Sequence, residues 1–255
     1  MKEKGFCNMT PDINKVVTRG VRVKPPRILI YGSEGIGKST FAAGFPGAVF
    51  IPTEDGLDNI DCASFPVAKK FDEIVAALDM LLTQKHEFKT VVIDSLDWAE
   101  RLLWSKLCDD YKVKNIEKVE GGYGKGYVVA LSYWSQVLER CARLRNERNM
   151  AIVFTAHASI ETVTDPETNQ FTRLAPRLHK RAYSLFAEFA DAVLLGTREF
   201  GAAKGKDGGE RVVKSQPSAT QSAKCRYGLP ETLPLDANAV LSAIAAYQNQ
   251  LQRKE

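Results

Sequence analysis

Apolar residues recur along this chain in two rhythms that take turns. Short apolar runs at Arg27 to Tyr31, Ala48 to Ile51, Thr90 to Asp94, Ala151 to Thr155 and Asp191 to Leu195 predict strands, and runs this continuous suit strands covered on both faces. Between them Phe71, Ile74, Val75, Leu78, Leu81 and Leu82 step by threes and fours, which predicts an amphipathic helix over Asp72 to Gln84. Leu96, Ala99, Leu103 and Leu107 mark a second helix, and Tyr127, Leu131, Trp134, Leu138 and Cys141 a third. A shorter helical stretch covers Ser184 to Phe189, and Asp236 caps a last helix with Val240, Ile244, Tyr247 and Leu251 on one face. Strands alternating with helices give an α/β fold, a mostly parallel central sheet with helices on both faces. Gly201 to Gly209 reads as a flexible tip and Arg211 to Lys214 as its return strand, a C-terminal β-hairpin.

Three stretches break the rhythm. Residues 1 to 24 are polar and basic, with Lys2, Lys4, Lys15, Arg19, Arg22 and Lys24, and read as an arm that ends at Pro25 and Pro26; Phe6 within it is a candidate anchor for a neighbouring molecule. Residues 109 to 126 mix charges and finish in Gly121-Gly-Tyr-Gly-Lys-Gly126, a mobile loop on this reading. From Ser159 to Lys180 the chain is again polar, with Asp165-Pro166 and Asn169 as turn formers, and a loop of that length inside a compact domain is usually functional or disordered. The expected divisions are therefore an arm at 1–24, a core at 25–230, and a C-terminal helix at 231–255 packed on or beside it.

Composition narrows the class without deciding it. The 255 residues are 44% hydrophobic, enough for one sizeable core, and the net charge of +4 neither demands nor excludes nucleic acid. Cys7, Cys62, Cys108, Cys141 and Cys225 are odd in number and form no C-x-x-C pair, which argues against a zinc site or a disulfide framework. There is no apolar signal core and no apolar run long enough to span a bilayer, so a cytoplasmic location is expected.

Chemistry enters with Gly32-Ser33-Glu34-Gly35-Ile36-Gly37-Lys38-Ser39, which follows the first strand, fits G-x-x-x-x-G-K-[ST] and leads through Thr40 into a helix. This is a P-loop: bare backbone N–H groups converge on phosphate oxygens, Lys38 reaches the β- and γ-phosphates, and the Ser39 hydroxyl ligates Mg²⁺. Asp94, ending a strand of four apolar residues, is the matching carboxylate beside the metal. Ser95 and Leu96 follow it, so no water-activating acid adjoins Asp94, and Glu54 at the end of the second strand is the candidate base. The implied ligands are ATP and Mg²⁺. A small-molecule kinase is the runner-up, with the arginines of 173–181 as a lid, although a kinase has no need of a water-activating glutamate. A nucleotide-gated interaction protein with little turnover is the third reading, and the guanine signature N-K-x-D is missing where a GTPase would carry it.

The succession of P-loop, strand ending at Glu54, strand ending at Asp94-Ser95, glycine-rich loop, helix, and strand ending at His157 resembles the ATPase core of the RecA-like recombinases. More narrowly it is similar to compact RecA-like nucleotide-binding proteins of bacteriophages, some of which act in single-strand annealing. The resemblance covers about residues 25 to 230 and implies a RecA-like P-loop NTPase that binds single-stranded DNA and promotes recombination by annealing or strand exchange. It implies that Glu54 activates water and that His157 occupies the γ-phosphate sensor position, where the recombinases often have Gln. It implies that Lys224 and Arg226 reach a neighbouring subunit's γ-phosphate within a homo-oligomer, ring or filament, and that a single-strand DNA-binding protein is a partner. The segments near 112–126 and 158–181 correspond to the two DNA-lining loops. Tyr123 and Tyr127 beside Lys125 offer stacking faces and a cation, and Arg173, Arg177, Lys180 and Arg181 can neutralise phosphates.

Overall fold

The computed structural model describes residue 17 and residues 20–164, 170–199 and 209–253. Strands β1 (Arg27–Gly32), β2 (Ala48–Pro52), β3 (Ala63–Ser64), β4 (Thr90–Asp94), β5 (Ala151–Val163) and β7 (Ala192–Glu199) are joined in parallel in the order β7-β1-β5-β4-β2-β3. Strand β8 (Glu210–Lys214) runs antiparallel to β7, and β10 (Thr232–Pro234) antiparallel to β8. The short β9 (Lys224–Cys225) lies antiparallel to β7, and β6 (Phe171–Pro176) antiparallel to β5. The expected mostly parallel sheet with an antiparallel hairpin toward its C-terminal edge is therefore present.

Side chains alternate across a strand, so the unbroken apolar runs feed two cores at once. On one face Leu29, Tyr31, Ile51, Val91, Ile93 and Phe154 meet helices α2 (Phe71–Thr83), α3 (Leu96–Asp110), α4 (Lys125–Glu147) and α5 (Lys180–Phe189). Trp134 is the hub, with ring centroids 5.4 Å from Phe71 and 5.0 Å from Phe186, both edge-on. On the other face Ile28, Ile30, Phe50, Val92 and Leu194 meet α1 (Lys38–Ala43) and α6 (Ala237–Gln252). Helix α6 starts where the sequence placed it, with the Asp236 carboxylate accepting the Ala239 N–H at 2.9 Å. Its Val240 and Ile244 are buried in the same cluster as β1, so 231–253 completes this core.

The two expected loops are built differently. Residues 116–121 form a 3-10 turn that buries Ile116 and Val119 in the first core, which anchors the segment read as mobile. Gly126 is required there, because a Cβ at this position would stand 2.1 Å from the Ile116 carbonyl oxygen. The second stretch is a β-hairpin: β5 continues to Val163 and pairs with β6 from Val163↔Phe171 to Ala158↔Pro176. Ile160, Thr162, Val163, Phe171 and Thr172 carry the β propensity that the polar residues between them obscured. Helix α5 then begins at Lys180, four residues before the expected start. Phe6 and most of the basic arm lie outside the described residues, as does most of the tip at 201–209.

The tight fit at residue 126 sets a first expectation. Gly126→Ala should destabilise the protein by about 1–3 kcal/mol despite alanine's better helix propensity, because backbone and the Val119 side chain must move; urea denaturation of both proteins measures it.

Candidate nucleotide-binding site

The P-loop spans the carboxyl end of β1 and the start of α1. Gly37 holds φ at 109°, a left-handed conformation that side-chain-bearing residues rarely adopt, and this turn aims the following N–H groups outward from the helix start. Beside it opens a cavity of about 310 Å³ whose walls include Lys38, Ser39, Glu54, Asp94, His157 and Arg211. Lys38 folds over the loop, its ammonium donating to the carbonyls of Gly32 at 3.2 Å and Ser33 at 3.0 Å. Burial pulls this ammonium below its ordinary pKa, and the charges of Asp94, Asp97, Glu54 and Glu34 work against that.

The strand ends converge because the strands are parallel and in register: Gly32 is level with His157, and Pro52 with Asp94. Thr53 ties the ends of β2 and β4 together, its main-chain N–H donating to the Asp94 carbonyl at 2.7 Å. Its hydroxyl donates to the Ser95 carbonyl at 2.7 Å and accepts the Ser95 N–H at 2.9 Å. The Ser95 hydroxyl in turn donates to Glu54 Oε1 at 2.7 Å, which aims that carboxylate at the cavity. Asp94 is 5% exposed; its Oδ1 accepts the hydroxyl of Thr155 on β5, while among the described residues Oδ2 and the Ser39 hydroxyl have no protein partner. A free hydroxyl and a free carboxylate oxygen on one cavity wall are the donors Mg²⁺ takes alongside substrate phosphate, so these residues fit the ion.

His157 is held from behind. Its Nδ1 lies 3.0 Å from Asp97 Oδ2 and 4.0 Å from Glu54 Oε1, and its main-chain N–H donates to Asp97 Oδ1 at 3.1 Å. Arg177 shares the same carboxylate, with Nε at 3.0 Å and Nη2 at 2.6 Å from Asp97 Oδ2. Burial opposes ionisation of Asp97, but the hydrogen bonds from His157 and Arg177 outweigh it and hold the carboxyl well below the usual carboxylate range. One helical turn on, the Glu100 carboxylate accepts the His179 N–H at 2.9 Å. Burial lifts the Glu100 carboxyl to about 7, against the pull of that hydrogen bond and reinforced by the charge of Asp97.

The residues expected on DNA divide into two groups. Arg173 pairs with Glu161 directly across the hairpin, Nη2 to Oε2 at 3.1 Å, and Arg177 is committed to Asp97, so neither guanidinium is free for phosphate as expected. Tyr127 is likewise packed: its ring stacks on His179 at 4.0 Å and 4°, and meets Trp104 edge-on. Tyr123, Lys125, Lys180 and Arg181 are exposed, Tyr123 completely. The Tyr127–His179 stack brings the starts of α4 and α5 together, and with them Lys125 and the Lys180–Arg181 pair. Lys224 and Arg226 have work within their own chain. The Lys224 ammonium donates to the carbonyls of Ala187, Glu188 and Ala190, which closes the C-terminus of α5, and Arg226 donates to Asp191 Oδ1 and the Glu188 carbonyl.

Arg211 lines the cavity, Asp97 holds His157 behind it and Glu100 holds His179, and no motif reveals any of the three. The two acids lie three apart in a helix whose periodic signal comes from its apolar residues alone, and a lone arginine in a late strand carries no signal until β8 folds beside Gly37. No group of three or more metal-binding side chains occurs among the described residues, and none of the described helices is long and apolar enough to cross a membrane.

What β1, α1 and β4 share is the design of a P-loop NTPase core, in which one strand, β5, separates the P-loop strand from the strand bearing Asp94. A family model, AAA_24, described as an AAA domain, matches residues 24–227, and the chain belongs to that family. Among curated proteins, the SPbeta prophage-derived uncharacterized protein YorG of Bacillus subtilis (strain 168) is 23% identical over 204 residues, covering 78% of this chain and 57% of that protein. The chain thus spans little more than half the length of that relative. Among solved structures, that of the RadB recombinase superposes with a TM-score of 0.47 at 14% identity, over 75% of this chain and 80% of the other.

The raised Glu100 carboxyl carries a signed pH dependence. An acid whose folded value of about 7 exceeds its ordinary 4.5 stabilises the fold fully below 4.5, and that contribution is lost as pH rises through 7. Glu100→Gln keeps a neutral acceptor for the His179 N–H. It should approach wild type in urea denaturation at pH 4 and exceed it at pH 8 by on the order of 3 kcal/mol.

Proposed function

We propose that this chain is a Mg²⁺-dependent ATPase that grips single-stranded DNA and promotes annealing or strand exchange. The observation that carries the ATPase half is the Ser95-held Glu54 carboxylate on the same cavity wall as Lys38 and Asp94. A fixed carboxylate there can orient a water and take its proton, the step that separates hydrolysis from transfer to another acceptor. The cavity walls include four carboxylates, Glu34, Glu54, Asp55 and Asp94, against two cations, Lys38 and Arg211. Such walls repel a bare polyphosphate, so a divalent ion must accompany it, held by Ser39 and Asp94. When bound, Mg²⁺ neutralises charge on the phosphates. Lys38 leaves its loop carbonyls for the β- and γ-phosphates, and His157 meets the terminal phosphate from the adjoining strand. Of the arginines a kinase lid would draw on, Arg173 and Arg177 are paired within the fold and Arg181 is exposed, which makes the kinase alternative the weaker reading.

The DNA half rests on the exposed cluster of Tyr123, Lys125, Lys180 and Arg181. An aromatic face with three cations beside it suits a flexible strand whose bases are free to stack, with affinity that falls as salt rises. One such cluster reaches only a short stretch, so homo-oligomers along the strand, as a ring or filament, belong to this reading, as does a single-strand DNA-binding protein as partner. The prophage origin of the YorG relative supports a phage-encoded protein working in a bacterial cytoplasm.

Phosphate release measured with and without single-stranded DNA tests both halves. Lys38→Ala should abolish ATP binding, and Glu54→Gln should lower kcat by about 10²–10⁴-fold while ATP still binds. The Lys125/Lys180/Arg181 triple alanine should keep basal turnover and lose its stimulation by DNA. Turnover indifferent to DNA, with normal DNA affinity in the triple variant, overturns the DNA half and leaves the ATPase standing.

A further inference from the structure

Asp97 is 4% exposed and lies at the start of α3, one turn of chain beyond Asp94. A buried carboxylate must be compensated, and among the described residues the hydrogen bonds to this one come from two residues. His157 supplies its main-chain N–H and its Nδ1, and Arg177 supplies Nε and Nη2. The two are joined again by the main chain, the Arg177 N–H donating to the His157 carbonyl at 2.7 Å. They belong to different parts of the molecule. His157 is in the wall of the phosphate cavity, and its Nε2 has no partner among the described residues. Arg177 opens the link from β6 to α5, whose next residues are Leu178, the Glu100-bound His179, and the exposed Lys180 and Arg181. A carboxylate acceptor at Nδ1 keeps a proton there and fixes the ring plane, which sets where Nε2 points; Nε2 can donate to a phosphate oxygen only when the ring carries both protons as an imidazolium, a form that an adjoining carboxylate such as Asp97 favours.

We propose that Asp97 is the positioning residue that lets His157 tell a nucleoside triphosphate from a diphosphate, and that its bond to Arg177 carries the distinction to residues 177–181. The inference rests on the nucleotide-site reading above and goes beyond it. A hydrogen bond donated by the imidazolium Nε2–H to the terminal phosphate pulls on a ring that cannot turn without moving Asp97, and Asp97 cannot move without releasing or carrying Arg177. A diphosphate leaves the ring untouched. A purely structural Asp97 would instead support the fold equally with either nucleotide.

The test is a double-mutant cycle in nucleotide affinity, which requires no turnover: Kd for ADP and for a non-hydrolysable ATP analogue, both with Mg²⁺, in wild type, His157→Ala, Asp97→Asn and the double variant. Wild type should prefer the triphosphate, and each single variant should lose about tenfold or more of that preference. The double variant should lose no more than either single one. Hydrogen exchange at the amides of 177–181 should slow on addition of the triphosphate analogue but not of ADP, and Asp97→Asn should abolish the response. Arg177→Gln keeps the His157 half of the network and supplies a second route if Asp97→Asn does not fold: it should retain the triphosphate preference and lose the exchange response. Preference intact in Asp97→Asn, multiplying losses in the double variant, or an unchanged exchange response in Arg177→Gln overturns the proposal. Wild type that binds both nucleotides without preference overturns it alone, whereas wild type that binds neither overturns the nucleotide-site reading with it.

Discussion

Parallel pairing of β1, β2, β4 and β5 places four chain segments that are far apart in sequence at one level of one edge. Gly32 stands beside His157 and Pro52 beside Asp94, so the P-loop, Glu54, Asp94 and His157 meet without any of them being close along the chain. A parallel sheet needs a crossover for each added strand, and the crossovers here are helices that cover both faces. The faces being closed, the carboxyl edge is where strand ends, helix starts and loose polar groups face solvent together, and ligand chemistry collects there. Apolar alternation that fills two cores also enforces this alignment, because a slip of one residue in β1 would exchange Leu29 and Tyr31 for Ile28 and Ile30 between faces.

A second layer of order comes from buried charge. Asp97 and Glu100 project from one side of α3 and gather His157, Arg177 and His179, which fixes the exit of the β5–β6 hairpin and the start of α5 against the cavity. Their environments push the two acids in opposite directions, Asp97 down and Glu100 up to about 7, because Asp97 receives charged and ring donors while Glu100 receives a single backbone N–H. At the far end of the same helix α5, Lys224 closes the carbonyls that α5 leaves unpaired. The segment between hairpin and sheet is therefore pinned at both ends by ionised side chains, and its outward face is left with Lys180 and Arg181.

Much of this was legible in the chain itself. The strands around β1, β2 and β4 and the helices α2 and α6 follow from periodicity to within a residue or two, the existence of α3 from its apolar steps, and the P-loop from its spacing, since local backbone conformation and local burial decide them. The stretch at 158–181 was not legible as a hairpin, because its strands alternate polar with β-branched residues and the partner strand supplies the missing reason to pair. The same holds for 116–121, where two apolar residues in a charged, glycine-rich run are silent until α4 packs over them.

Residue type and spacing by themselves placed a P-loop turn, a strand-end aspartate and a glutamate at the end of a buried parallel sheet, because each is set by chemistry acting within a few residues. Tertiary structure alone decided which cations remain available. Arg173, Arg177, Lys224 and Arg226 look equivalent to Lys125, Lys180 and Arg181 along the chain, yet the first four meet carboxylates or carbonyls brought to them from at least 12 residues away. A long charged side chain takes whatever partner folding delivers, and that partner is chosen by packing the sequence does not display locally.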